Sequence, residues 1–179
     1  MKYLILCLLA CGWKKPVEKP SLVNISKTKD GLICQQIDMN ADGLTDIWNY
    51  YRKRENASPI LKRKEIDLNN DEVYDIQTHF NDAGLITTEI KDTDFDGFYE
   101  RTDHYQGNRK VLTTIDSNKD KIPDIRLIYE GGRVKRKEQD TNFDKNNRID
   151  YWQLLSENGE VIKWGRDLND DGLIDVRGE

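Results

Sequence analysis

The chain is short of the residues that build a large apolar core. Of its 179 residues, 36% are hydrophobic and 34% are charged, and only 9% are aromatic. It also holds just 3 cysteines and 4 prolines. This composition argues against one large globular core and favours a thin repeat architecture, in which each unit packs only on its neighbours.

Signatures of catalysis and of nucleic-acid binding are also missing. The sequence has no Gly-rich phosphate loop, no Cys-x-x-Cys pair and no Ser/His/Asp combination. Its two histidines, His79 and His104, occupy equivalent places in adjacent repeats, and we expect them to be exposed strand residues too far apart to share a metal. Lysines and arginines alternate with acids, as in KRKE at 62–65, and form no basic stripe. We therefore expect neither an enzyme nor a nucleic-acid-binding protein.

Aspartate, in contrast, is abundant and regularly spaced. Six runs open with the spacing Asp-x-(Asn/Asp)-x-Asp, and their first residues lie 29, 25, 24, 24 and 27 apart. We call them loops 1 to 6, at residues 38–46, 67–75, 92–100, 116–124, 140–150 and 167–175. Oxygen ligands at alternating positions of a tight loop are what a hard cation such as Ca²⁺ needs, and six such loops form an internal repeat.

Positions 1, 3, 5 and 9 of each loop supply the predicted ligands, and in loop 1 the carbonyl of Leu44 joins them at position 7. In loop 5, which has two extra residues, Asp150 at position 11 takes the part of position 9. The predicted metal-ligating residues are Asp38, Asn40, Asp42, Leu44, Asp46, Asp67, Asn69, Asp71, Asp75, Asp92, Asp94, Asp96, Glu100, Asp116, Asn118, Asp120, Asp124, Asp140, Asn142, Asp144, Asp150, Asp167, Asn169, Asp171 and Asp175. Loops 1, 3 and 6 carry Gly at position 6, where the turn needs a positive φ, and we expect them to bind tightest. We expect loop 5, which has two extra residues, to bind weakest. The alternative is that some runs are Asx-turns that need no ion.

The loop pattern D-x-(N/D)-x-D-G-x-x-D resembles the calcium loops of FG-GAP β-propeller repeats and of thrombospondin type 3 repeats. That resemblance is confined to the loops. The whole unit, a loop followed by an aromatic hairpin, looks like repeats in bacterial lipoproteins of unassigned function. It implies an exported, calcium-stabilised repeat protein with no enzymatic activity.

Two short arms separated by a turn signal lie between successive loops. The turn signals are ENASP at 55–59, NDAG at 81–84, QGN at 106–108, EGG at 130–132 and ENG at 157–159. Such arms predict β-hairpins, and hence an all-β repeat array of antiparallel hairpins, a meander joined by Asp-rich calcium loops. Hairpin turns should follow one edge and metal loops the other.

The aromatic residues extend this prediction to the two faces of the sheet. Tyr51, Phe80, Tyr105 and Tyr129 occupy the same offset in their repeats and should form an aromatic ladder that makes up much of the core. Trp48, Tyr50 and Trp152 should lie on or near the opposite face. There they form either a second thin core layer or a surface for a partner.

The N-terminus reads as an export signal. Residues 1–10 carry a positive charge and a short apolar run, and Leu8-Leu9-Ala10-Cys11-Gly12 resembles the lipobox of bacterial lipoproteins. The resemblance implies a lipoprotein signal peptide at 1–10, and a lipidated Cys11 with a flexible tether at 11–30. The six-loop repeat domain then spans 31–179. Cys34 would remain as the one thiol without an internal partner, either a small half-buried strand residue or a reactive group.

These observations predict an exported, lipid-anchored calcium-binding protein with a structural or spacer role at the cell envelope. The bilayer would be reached through acylated Cys11, at the outer membrane or cell surface of a bacterium. The alternative function is a calcium-dependent binding module for a protein or glycan partner.

Overall fold

The computed structural model describes residues 23–143, 146 and 148–179, and every regular element in them is a β-strand. Thirteen strands form one sheet whose spatial order is the order of the sequence, and every neighbouring pair is antiparallel. The strands are β1 (Val23–Lys27), β2 (Ile33–Ile37), β3 (Ile47–Arg54), β4 (Ala57–Ile66), β5 (Ile76–Phe80), β6 (Ile86–Lys91), β7 (Arg101–Gln106), β8 (Arg109–Ile115), β9 (Ile125–Glu130), β10 (Arg133–Gln139), β11 (Tyr151–Leu155), β12 (Val161–Arg166) and β13 (Val176–Gly178). The predicted all-β antiparallel meander is confirmed.

Tight turns and Asp-rich loops alternate along the chain, which places them at opposite edges of the sheet. Between β9 and β10, Gly131 and Gly132 both adopt positive φ, of 59° and 82°, as a two-residue hairpin turn requires. Between β5 and β6, the Asn81 N–H donates to the Leu85 carbonyl at 2.9 Å, and Gly84 has a φ of 77°. All five predicted turn signals lie at hairpin turns. Loops 1 to 5 each connect one hairpin to the next, and loop 6 connects the last hairpin to β13.

Registration places the last residue before each loop opposite the first residue after it. In loops 1, 2 and 4 these pairs are Ile37 with Ile47, Ile66 with Ile76, and Ile115 with Ile125. Since Ile47 also faces Ile66 across β3 and β4, these isoleucines belong to one row along the loop edge of the sheet. β-branched side chains suit a pleated, half-buried surface, and this row holds the base of the loops in a regular array.

The sheet is a single layer, and its buried centre is mostly polar. Among the described residues, each strand contacts only the strands before and after it in the chain. Asp103 of β7 and its cross-strand partner Thr113 of β8 are 0% exposed, and Thr78 and Glu65 are also buried. No second layer covers these groups in the described residues, and long side chains on neighbouring strands shield them from water instead.

The aromatic residues differ in burial from the sequence prediction. Tyr51, Phe80, Tyr105 and Tyr129 are only half-buried at the hairpin edge, so they do not make up the buried core. Tyr50, on the other face, is buried, with the guanidinium of Arg63 4.1 Å from its ring centroid. Trp48 packs edge-on against Tyr74 at 4.9 Å. A single sheet cannot enclose a whole aromatic row, since only side chains flanked by long neighbours lose contact with water.

The sheet starts before residue 31, because β1 pairs with β2 from Val23 to Lys27, within the segment 11–30 assigned to the tether. The predicted signal peptide at 1–10 and the predicted lipidated Cys11 lie outside the described residues. Cys34 is free and buried, and burial raises the pKa of its thiol, which favours the prediction of a packed strand residue. In the part of the chain that is described, no helix is long and apolar enough to span a membrane.

Candidate metal-binding loops

The first aspartate of every loop is buried and hydrogen-bonded by the loop itself. Asp38, Asp67, Asp92, Asp116, Asp140 and Asp167 are each 7% exposed or less. In loop 2, Asp67 accepts backbone N–H bonds from Asn70 at 2.6 Å and from Glu72 at 2.8 Å. Loop 3 repeats this arrangement, with Phe95 and Gly97 both donating to Asp92 at 2.7 Å. A buried carboxylate needs such donors, and here they also wrap the loop around position 1.

The backbone of these loops is left-handed at two positions. Position 6 has positive φ, as predicted, at Gly43 (97°) and also at Glu72 (68°) and Lys121 (74°). Position 4 is left-handed as well, for example at Asn70 (65°), which the sequence analysis did not foresee. Its residues are Ala, Asn, Phe, Lys, Phe and Asp, so no glycine signal marked it.

Burial and hydrogen bonding act in opposite directions on these carboxyl groups. Burial raises the pKa of Asp167, but the backbone donors Gly172, Asp170 and Asn169 outweigh it and hold that pKa below its ordinary value. At Asp75, burial dominates and raises the pKa. A metal ion near Asp75 would favour its charged form.

Side chains at positions 3 and 5 form short internal turns. In loop 1, the Asp42 N–H donates to Asn40 Oδ1 at 2.9 Å, and the Leu44 N–H donates to Asp42 Oδ1 at 2.8 Å. The same pair of bonds recurs in loop 2, where the Asp71 and Val73 amides donate at 3.1 and 2.8 Å. One oxygen of each side chain is thus oriented by the backbone. The other oxygens of Asp42 and Asp71 accept hydrogen bonds from the Asn40 and Asn69 amides, which a bound cation would have to replace.

Position 9 closes each loop onto its own start. In loop 2, the buried Asp75 accepts the Leu68 N–H at 2.5 Å. In loops 3, 4 and 5, a hydroxyl at position 2 adds a second bond to this carboxylate. These bonds run from Thr93 to Glu100 at 2.9 Å, from Ser117 to Asp124 at 2.8 Å and from Thr141 to Asp150 at 2.7 Å. Asp150 therefore reaches the closing place despite the two extra residues of loop 5. The hydroxyl residues were not predicted, although Thr or Ser at position 2 is visible in the sequence.

Backbone hydrogen bonds join the six loops into one edge. The N–H at position 1 of each loop donates to the carbonyl at position 9 of the loop before it. These bonds run from Asp67 to Asp46, Asp92 to Asp75, Asp116 to Glu100, Asp140 to Asp124 and Asp167 to Asp150, at 2.8 to 3.0 Å. A change in the backbone of one loop therefore displaces a hydrogen-bond partner of the next loop.

Two loops bring their carboxylates close enough to share an ion. One oxygen each from Asp92, Asp94, Asp96 and Glu100 in loop 3 lie within 4.8 Å of one another. In loop 4, Asp116, Asp120 and Asp124 do the same. The predicted ligands of loops 1, 2 and 6 occupy equivalent loop positions but are not brought together as such a cluster among the described residues. Asp144 of loop 5 lies outside the described residues. The structure thus contains two acidic groups that could hold a metal ion. One of them lies in loop 4, although that loop has a lysine at position 6.

Lys119, at position 4 of loop 4, is a further site residue that sequence reasoning missed. Its ammonium donates to Asp94 of loop 3 at 2.8 Å and also contacts Asp96. Glu100 Oε1 lies 3.6 Å away. The ammonium holds the pKa of Asp94 below its usual range. No local pattern predicts a contact between residues 25 apart in sequence.

A cleft lies at the C-terminal end of the sheet, well away from loops 3 and 4. Trp152 and Leu154 of β11 line it, together with Ile174 of loop 6. Arg136, Lys163 and Arg177 surround these apolar side chains. The registration of β10 to β13 places Arg136 beside Leu154 and Trp152 beside Gly165. The cleft therefore combines an aromatic surface with three cations, of which Arg136 pairs with Glu138 and Lys163 pairs with Glu179.

The fold and the loops together define an all-β repeat protein with acidic groups able to hold a metal ion. In comparisons with known proteins, no family model, no curated protein and no solved structure matches the chain.

Proposed function

We propose that this protein binds Ca²⁺ through its Asp-rich loops and uses the bound ions to stabilise its sheet. The observation that carries the proposal is the convergence of Asp92, Asp94, Asp96 and Glu100 within 4.8 Å, produced by a spacing that recurs six times. The six acidic runs are therefore copies of one structural unit, since the first aspartate is buried in each of them.

The chemistry of the ligands favours Ca²⁺ over other common cations. The loops offer carboxylate and amide oxygens, and the two histidines lie on β5 and β7 rather than in the loops. Oxygen-only sets suit hard cations, whereas Zn²⁺ prefers nitrogen and sulfur. A flexible loop with several carboxylates matches the variable coordination of Ca²⁺ better than the strict octahedron of Mg²⁺.

A structural role follows from the thinness of the sheet. Only three apolar side chains, Cys34, Tyr50 and Ile60, are buried among the described residues, so hydrophobic burial alone is a weak source of stability. A site with a Kd near 10 μM in about 1 mM Ca²⁺ adds roughly 2.7 kcal/mol to the free energy of unfolding. Several such sites amount to the stability of a typical domain, about 5–15 kcal/mol.

The test is a calorimetric calcium titration combined with circular dichroism. We expect uptake of at least three ions and a higher melting temperature with Ca²⁺ than in chelator. Asp92→Asn with Asp96→Asn should lower the stoichiometry by about one ion. Asp82→Asn, an exposed aspartate of the turn between β5 and β6, is the matched control. Lack of calcium uptake, with an unchanged melting temperature in chelator, would exclude the proposal.

The proposed setting is the bacterial envelope, with the sheet serving as a spacer held to the membrane by acylated Cys11. The support is the sequence LLACG at residues 8–12. Expression of the full chain in a bacterium, followed by fractionation, tests it. Cys11→Ser should move the protein from the membrane pellet to the soluble fraction, whereas Cys34→Ser should not. Equal distribution of the two variants would contradict anchoring through Cys11.

The C-terminal cleft favours a second candidate function, calcium-dependent binding of an acidic glycan. Trp152 offers a flat apolar surface for a sugar ring, and Arg177 would pair with a carboxylate. Arg136 and Lys163 would do so by exchanging their present partners, Glu138 and Glu179. The probe is a hexuronic-acid oligosaccharide, and its binding is measured by calorimetry. Trp152→Ala should abolish the response, and Trp48→Ala should retain it. A response that survives Trp152→Ala would remove the cleft from consideration.

A further inference from the structure

The carboxylates of loop 3 already surround a positive charge supplied by the chain. Lys119 Nζ lies 2.8 Å from Asp94 Oδ2, contacts Asp96 Oδ2 and lies 3.6 Å from Glu100 Oε1. Asp92, Asp94, Asp96 and Glu100 form the loop 3 cluster. An ammonium group with three donors thus lies against three of the four carboxylates that a metal ion would need.

Glu100 supports this placement independently. It is 9% exposed, and its Oε1 atom is buried without a hydrogen-bond partner, while Oε2 accepts bonds from Thr93. A buried carboxylate oxygen without a donor costs free energy. At 3.6 Å the ammonium gives it a charge interaction but no hydrogen bond. This oxygen therefore remains available to coordinate a metal cation.

Loop 4 provides an internal comparison. Its cluster of Asp116, Asp120 and Asp124 has no lysine or arginine nitrogen within 4.0 Å in the described part of the chain. Lys121 shares a loop with Lys119, and its φ of 74° is also positive, but it makes no ion pair with loop 3 among the described residues. The two lysines thus carry the same charge near the same loops, and only Lys119 enters the loop 3 cluster.

We propose that Lys119 is a built-in competitor for the cation site of loop 3, so that Ca²⁺ binds there only by displacing its ammonium. This inference rests on the proposed calcium function and deepens it. The Lys119 side chain is 33% exposed, so it has an open route to solvent when a divalent ion replaces it. Loop 3 has Gly97 at position 6, but it then needs a higher calcium concentration for binding than its ligands alone would indicate.

The experiment follows each loop separately by NMR during a calcium titration of the ¹⁵N-labelled protein. The amide of Gly97 reports loop 3, and the amide of Ile122 reports loop 4. Lys119→Met should lower the calcium midpoint at Gly97 by about tenfold, since two charge-assisted hydrogen bonds, weakened by partial exposure, no longer oppose the ion. Lys119→Arg, which keeps the charge, should not lower it.

Lys121→Met is the matched control, because it removes the same charge without removing a contact to loop 3. It should change the Gly97 midpoint by less than about twofold, as expected for a screened charge. Equal Gly97 midpoints for wild type, Lys119→Met and Lys121→Met would overturn the competitor role while leaving calcium binding intact. If no loop amide, at Gly43, Gly97, Ile122 or Gly172, responds to calcium in any variant, the proposed function itself fails.

Discussion

Asp103 offers the sharpest test of how this single-layer sheet holds together. Its carboxylate is 0% exposed and accepts a hydrogen bond from Thr113 at 2.5 Å. Lys110 and Arg101 form ion pairs with it at 2.8 and 3.1 Å. Asp103→Asn keeps the shape of the side chain but removes the charge, which leaves these cations partly desolvated without their anion.

The magnitude follows from the pKa. Burial alone would raise the pKa of Asp103, but the hydrogen bonds from Lys110, Thr113 and Arg101 outweigh it and lower the pKa from 3.8 to about 2. Each unit is worth 1.36 kcal/mol, so the charged form contributes about 2 kcal/mol to the free energy of unfolding at neutral pH. Because the folded pKa lies below the unfolded one, this contribution is present above pH 3.8 and is lost as the pH falls towards 2.

Urea unfolding followed by circular dichroism measures this contribution, with calcium held constant. Asp103→Asn should lose about 2 kcal/mol at pH 7, and the difference from wild type should shrink as the pH falls below 3.8. Asp82→Asn is the control, because Asp82 also pairs with two cations, Arg52 and Lys62, but its side chain is 73% exposed. It should cost less than about 1 kcal/mol. Equal losses in the two variants, or a difference that persists in acid, would refute the reasoning.

Three further predictions concern the backbone, the packing and the thiol. Glu72→Gly should raise the free energy of unfolding by about 1 kcal/mol in urea melts, because glycine adopts the φ of 68° without strain. Gly165→Ala should change it by less than about 1 kcal/mol, because Ile174, whose Cδ1 would lie 2.9 Å from the new Cβ, is 52% exposed and can move aside; a loss of several kcal/mol would contradict this. Cys34 should react with a thiol reagent much more slowly in the folded protein than in urea, because burial raises the pKa of its thiol; equal rates would show that the strand opens readily.

The strands and loops were predictable because their signals are local. The alternation of Asp-rich runs with β-branched and aromatic arms gave the meander, and Gly or Asn at the turns gave the hairpin positions. Position 6 of the loops was anticipated from Gly43, Gly97 and Gly172. The left-handed position 4 was not, since the fold imposes that conformation on residues as unlike as Phe95 and Lys119.

Burial was predicted less well than topology. Aromatic residues were expected to fill the core, but the least exposed side chains include Asp103 and Thr113. In a sheet with only one layer, a side chain is buried by its lateral neighbours, and long charged residues such as Lys110 and Arg101 cover a short central one. Hydrophobicity read along the sequence does not reveal this arrangement.

The sequence by itself determined the repeat, the order of strands and the oxygen-rich character of the loops, because each arises from residues close together in the chain. Only the tertiary structure decided which carboxylates converge, which aspartates are buried and which lysine enters a neighbouring loop. The register of the strands places Lys119 beside Asp94, although the two residues are 25 apart in the sequence. The flexible four-carbon side chain of Lys119 then reaches the carboxylate. Such contacts depend on distance in three dimensions, which a periodic sequence does not specify.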